Sequence, residues 1–118
     1  MERGQLNEWG WQTDSRVAYV YFLECGGFIK IGFATDIARR LQAIQAMNPL
    51  DVTLVGRIRA TLRVERVLQE RFSGVHHRGE WFRPDPTMLA DIRKLSSSRK
   101  HFKTRSDVTL YLDVVHTI

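Results

Sequence analysis

The pattern of apolar and polar positions changes abruptly at Val17. Residues 1–16 hold Gly4, Gly10, charges of both signs and no apolar periodicity, which predicts a loose arm. Trp9 and Trp11 are unusual in such an arm and are expected to dock on the domain or to contact a protein partner. Val17 to Glu24 is dense in aromatic and β-branched residues and predicts a strand. Gly26-Gly27 is a hairpin signal, and Phe28 to Phe33 reads as the returning strand, with Ile29 and Ile31 on one face and Lys30 on the other. Thr35 or Asp36 can cap a helix whose apolar stripe is Ile37, Leu41, Ile44 and Met47, stopped by Asn48-Pro49.

Asp51 to Arg59 alternates Val52, Leu54 and Ile58 with polar positions, as a third strand would. A second helix starts at Thr61, turns Val64, Leu68 and Phe72 inward, and closes at Ser73-Gly74. Val75 to Gly79 reads as a loop and Glu80 to Arg83 as a short extended segment with Trp81 and Phe82 capping the core. Asp85-Pro86 opens a third helix carrying Leu89, Ile92 and Leu95. Ser96 to Arg105 reads as a basic loop and Val108 to Val115 as a last strand. The expected architecture is a small α+β domain. An antiparallel sheet of the N-terminal hairpin and a third strand is flanked by helices, with an extra C-terminal helix and strand. The expected divisions are an arm at 1–16, a core at 17–83, and 84–118 completing a single domain.

Composition narrows the function classes. A chain of 118 residues, 43% hydrophobic and 26% charged, fits one globular domain with a core of its own. One cysteine, Cys25, excludes an internal disulfide and a cysteine-cluster zinc site. There is no long apolar run and no apolar leader at the N-terminus, so the expected setting is the cytoplasm, with no membrane contact. Fourteen of the 18 basic residues are arginine, and residues 57–105 hold 13 Lys+Arg against 5 Asp+Glu. The guanidinium fork matches phosphate, so that excess suggests nucleic acid as a partner.

Four positions then form an ordered set. Tyr21 follows Tyr19 in the first strand, Lys30-Ile-Gly32 lies in the second, Arg40-Leu41 lies in the first helix, and Glu65 in the second. Gln45, Asn48-Pro49 and a terminal Gly79-Glu-Trp-Phe82 complete the set. Over residues 18–83 this resembles the GIY-YIG nuclease superfamily. It is most similar to a divergent, often phage-borne branch whose second motif reads Lys-Ile-Gly. Four departures accompany the resemblance. Tyr19 stands where the first motif has glycine, and Lys30 where the second has tyrosine. Gln69 replaces a frequent histidine, and Glu80 a frequent asparagine.

The resemblance implies a Mg²⁺-dependent endonuclease-like domain hydrolysing DNA, with Mn²⁺ as an alternative ion. Phosphodiester hydrolysis needs an activated water, a neutraliser of developing charge, and commonly a metal. Tyr21 is the candidate general base, with Tyr19 the other tyrosine of the first motif. Arg40 suits a phosphate clamp. Glu65 suits a metal ligand whose shell is completed by waters and substrate phosphate. Lys30 can assist as a point charge, and Gly32 lets the backbone pass close to substrate. Arg39, His77, Arg78, Lys100 and Lys103 are candidate substrate contacts, the last two in a loop that mixes cations with Phe102.

Each residue also has a plainer reading: Tyr21 as a half-buried strand aromatic, Arg40 as an exposed helix residue, Glu65 as one side of an ion pair. His76 and His77 are adjacent, a poor arrangement for chelating one metal. Three function classes follow: a nuclease, a nucleic-acid-binding module of the same fold without cleavage, and a protein-interaction domain anchored by Trp9 and Trp11.

Overall fold

The structure, a computed structural model, describes residues 18–113. The arm at 1–16, with Trp9 and Trp11, lies outside the described residues. The first two strands, β1 (Tyr19–Cys25) and β2 (Phe28–Ala34), form a seven-residue antiparallel ladder from Tyr19↔Ala34 to Cys25↔Phe28. The turn between them is Gly26 at φ 60° and Gly27 at φ 85°. Two successive left-handed residues match the twist of a tight hairpin, and glycine adopts them without strain.

Helix α1 (Ile37–Ala46) is capped by the Asp36 carboxylate, which accepts from the Arg39 amide at 3.1 Å. Strand β3 (Thr53–Ala60) returns on the other side of β1. Helix α2 (Leu62–Arg71) follows, then a 3₁₀ turn at Ser73–Val75. Short strands β4 (His76–Arg78) and β5 (Trp81–Phe82) form where a loop was expected from Val75 to Gly79. Asp85 caps α3 (Pro86–Ser96) through the amides of Thr87 and Met88, with proline at the start. Strand β6 (His101–Phe102) and helix α4 (Arg105–Asp113) complete the described chain.

The sheet runs β4-β5-β2-β1-β3-β6, antiparallel except for the β3–β6 pair. Its two faces are covered unequally. Val20, Phe22, Ile31 and Ile58 face α2, α3 and α4, which contribute Val64, Leu68, Met88, Ile92, Leu95, Val108 and Leu112 to the larger core. The opposite face holds Tyr21, Leu23 and Ala34, covered by α1 through buried Ile37 and the partly buried Leu41 and Ile44. The α+β expectation therefore holds, in a six-stranded mixed sheet with four helices.

Three local expectations are corrected. Residues 108–113, expected as strand, are helical. The Thr104 hydroxyl accepts from the Asp107 amide at 3.2 Å, and the Asp107 carboxylate accepts from the Thr104 amide at 3.0 Å, a reciprocal capping box. Val108 and Leu112, four apart, are both buried, the spacing of one helical face. Met47 was expected in the α1 stripe but is 85% exposed, because the helix ends at Ala46. In β3 the alternation of Leu54 with Ile58 fails. Phe22 pairs with Gly56 and Leu23 with Leu54, so Val55 is an extra residue and Leu54 falls on the opposite face from Ile58.

Candidate functional site

The site lies along β2 beyond the point where β5 stops. Strand β5 pairs only with Ile29 and Lys30, which leaves the edge from Ile31 to Phe33 without a strand beside it among the described residues. Other groups take its outward backbone atoms. The Ile31 amide donates to the Glu80 carbonyl at 3.0 Å, and Gln69 Nε2 donates to the Ile31 carbonyl at 3.1 Å. Arg40 donates to the Phe33 carbonyl at 3.4 Å. The edge is thus held from one face by α2, which carries Gln69, and from the other by α1, which carries Arg40.

Glu65 sits one helical turn before Gln69, on the same side of α2. It is only 7% exposed, and among the described residues its carboxylate makes no hydrogen bond or ion pair. Burial pushes its pKa above the ordinary carboxylate range, and the Glu80 charge pushes the same way; Lys30, Arg66 and Arg40 pull it back down. Those four side chains are therefore within electrostatic reach of Glu65. Lys30 Nζ donates to Glu80 Oε1 at 2.8 Å and lies 5.6 Å from the centre of the Trp81 ring.

Tyr21 pairs with Gly32 across the β1–β2 ladder. Its ring lies over Gly32 so closely that a Cβ there would overlap the ring and hydroxyl. The hydroxyl is fully buried and has no hydrogen-bond partner among the described residues. A buried hydroxyl left unpaired costs about 1–3 kcal/mol, so such groups usually have a water or an ion to bind.

The structure brings Lys30, Gly32, Arg40, Glu65 and Tyr21 to one stretch of β2. It separates the other candidates. Tyr19 is half-buried at the start of β1, with the Arg57 guanidinium 5.0 Å over its ring, on the β3 side. Arg39 is exposed on α1. His77 stacks on Phe28, ring centres 4.3 Å apart, and exposed Arg78 pairs with Trp81, both at the β4 end of the sheet. Lys100 and Lys103 lie at the β6 end, five strand spacings away, about 24 Å. The expected substrate contacts are therefore divided between opposite margins of the sheet.

The model of one protein family, the T5orf172 domain, matches residues 18–97. The chain belongs to the T5orf172 domain family. The match begins just before β1 and ends at Ser97, the C-cap of α3. The T5orf172 domain is phage-associated and related to nuclease-like domains, so membership points to a nuclease-like or DNA-binding module. No curated protein and no solved structure matches the chain. Every residue of the β2-edge cluster lies inside the matched T5orf172 region, whereas Lys100 and Lys103 lie beyond it. No helix among the described residues is long and apolar enough to cross a membrane.

Sequence reasoning missed two parts of this arrangement. Glu80 was noted within Gly79-Glu-Trp-Phe82, but its pairing with Lys30, fifty residues away, has no local signal. The other is Arg57, whose signal was available: its place two residues before Arg59 on an exposed strand marks a cationic face.

Proposed function

We propose that this domain is a metal-dependent nuclease of the GIY-YIG type, cutting phosphodiester bonds in DNA at the β2 edge. The observation that carries the reading is two groups without partners among the described residues that both lie by β2: the buried Tyr21 hydroxyl over Gly32, and mostly buried Glu65, whose carboxylate has Lys30 and Arg40 within electrostatic reach. Neither arrangement favours the fold by itself, and structures retain such groups where function needs them.

A divalent ion fits the donor set. Among the described residues no three His, Cys, Asp or Glu side chains cluster around one point. Mg²⁺ is content with one carboxylate when waters and substrate phosphate complete its shell, and Glu65 is that carboxylate here. When bound, the ion supplies Lewis-acid stabilisation of the phosphate charge.

The chain's own residues do the rest. Arg40, at the start of α1, clamps a non-bridging phosphate oxygen and neutralises charge as the phosphorus becomes five-coordinate. The Tyr21 hydroxyl relays the proton of the attacking water, accepting it on a free lone pair as it passes its own proton to an oxygen of the substrate phosphate. Lys30, paired with Glu80, adds positive potential. Glu80 limits that charge and keeps Lys30 from occupying Glu65 instead of the ion. Gly32 leaves the space that a side chain would close.

Nicking of supercoiled plasmid with Mg²⁺ or Mn²⁺ tests the reading. Wild type is expected to nick, and Glu65→Ala and Tyr21→Phe to lose at least about a hundredfold in rate. If wild type fails to nick with either ion while still binding DNA, the domain is a binding module.

A further inference from the structure

The other long edge of the sheet carries a different feature. Only Arg59 and Ala60 of β3 pair with β6, so Thr53 to Ile58 have no strand beyond them among the described residues. A groove of about 510 Å³ runs along this edge, lined by Tyr19, Arg57, Arg59, Ser96, Arg99 and Lys100 among others, with no acidic residue in its lining. None of these four cations makes an ion pair among the described residues.

Two of the cations are held in place. Arg57 lies over the Tyr19 ring at 5.0 Å, and Lys100 lies 5.8 Å from the Tyr111 ring. Cation–π contact fixes the head groups without consuming their hydrogen-bond donors. In the ladder Tyr19 is opposite Arg59 and Tyr21 is opposite Arg57, so both arginines project on the face that α1 only partly covers. Gly56 and Ser96 also line the groove, Ser96 packing from the α3 side at a place a Gly56 Cβ would fill; the Ser96 hydroxyl is buried and has no partner among the described residues. The local field is positive enough to act on a neighbour: Arg59 and Lys103 both reinforce burial in holding the His101 pKa below its usual value, against Asp107.

We propose that the β3 edge is a second nucleic-acid contact, a cationic groove that grips the phosphate backbone of DNA away from the cleavage site. The proposal rests on the nucleic-acid reading above and adds where the strand is held. A polypeptide strand is the other guest an open sheet edge attracts. Here the extra residue at Val55 disrupts the edge and the arginines charge it, both of which oppose strand addition. A polyanion meets no such obstacle. Val55 to Arg59 spans about 13 Å, room for three or four phosphates at the ~3.4 Å axial spacing of one strand. The groove lies two strand spacings from β2, about 10 Å, so one nucleic acid can touch both edges.

The test is fluorescence anisotropy of labelled single-stranded and duplex DNA with the full chain, in EDTA, from 50 to 200 mM salt. Arg57→Gln with Arg59→Gln is expected to weaken binding at least tenfold at the lowest salt. It should also flatten the plot of log affinity against log salt by about 0.7–0.9 per contact removed. The single-stranded and duplex arms show which form the groove prefers. Arg105→Gln, whose parent guanidinium is already paired with Glu70 at 2.8 Å, should change neither quantity. Unchanged affinity and slope in the double variant, with wild type binding normally, overturns the groove and leaves the nuclease reading intact. No DNA binding by wild type overturns both. A dimer in sedimentation that the double variant loses, at unchanged DNA affinity, also overturns it and makes the edge a contact between copies. Circular dichroism melts confirm that the variants fold, and Lys100→Gln, which removes the ammonium over the Tyr111 ring, supplies an independent arm with the same expected direction.

Discussion

The two edges that flank the central hairpin are built in opposite ways. At the β2 edge the exposed backbone atoms are taken by Gln69, Arg40 and Glu80, and the charges are mixed and crowded. At the β3 edge the strand is left open, and the charges lining it are of one sign. Crowded opposite charges around a buried acid are suited to positioning a reaction, where small displacements matter. Unpaired cations along an open groove are suited to attracting a polyanion, where geometry is loose and salt screens the attraction. On the proposed reading the β2 edge supplies chemistry and the β3 edge supplies grip.

The sharpest way to break the comparison is at Arg40. Arg40→Ala should lower the plasmid nicking rate by about 10²–10³-fold, as loss of a donor to developing charge commonly does. Its effect on the salt slope of binding should be one contact at most. A variant that loses binding and rate in parallel would make Arg40 part of the grip instead.

Gly32→Ala comes next. The added Cβ would collide with the Tyr21 ring, and overpacking of this kind costs about 1–3 kcal/mol. A lowered Tm by circular dichroism is expected, whereas Tyr21→Phe should hold or raise Tm because it removes a buried hydroxyl with no partner. A Gly32→Ala protein with unchanged Tm would contradict the close approach.

The effect of pH separates the edges further. The Glu65 carboxyl is raised by burial first and by Glu80 second. Glu65 must be ionised to hold a cation, so the nicking rate should fall on acidification at a pH above the ordinary carboxylate range. Glu80→Gln removes one raising cause, and the acid limb of the rate profile should move to lower pH. The β3 groove has no carboxylate in its lining, so DNA affinity in EDTA should not follow the same profile. A shared profile would show that one edge does both jobs.

The smallest effect is on stability. A carboxyl whose pKa is raised by folding binds its proton more tightly in the folded state. Its contribution is therefore fully present below the unfolded pKa and is lost as pH rises through the folded value. Above its raised pKa the ionised Glu65 disfavours the fold, so there Glu65→Gln should melt at the same temperature or a few degrees higher. That difference should disappear in mild acid, and a marked fall in Tm would mean that Glu65 is structural.

Much of the fold was legible because the local signals agreed with one another. Gly26-Gly27 demanded a tight turn, Asp36 and Asp85 announced helix starts, and the Ile29/Ile31 alternation placed one strand face. The failures came where two signals competed. Val108 to Leu112 carries β-branched and aromatic residues, yet Thr104-Arg-Ser-Asp107 is a capping box, and the cap with the Val108–Leu112 spacing prevailed. The β3 misreading came from one inserted residue, since a period of two is reversed by a single bulge. The chemical candidates Tyr21, Arg40 and Glu65 were readable as an ordered set. The Lys30–Glu80 pair and the β3 groove were not, since both depend on strands that come together from distant parts of the chain.

Single-turnover nicking measured against protein concentration puts both edges into one experiment. Its plateau reports the chemical step, and the half-saturating concentration reports the grip. With Mg²⁺ or Mn²⁺ present, Glu65→Gln should lower the plateau more than a hundredfold at an unchanged half-saturation point. Arg57→Gln with Arg59→Gln should raise the half-saturation point about tenfold or more at an unchanged plateau. If both variants lower the same parameter, or wild type cuts with neither ion, the division between a reacting edge and a gripping edge is contradicted.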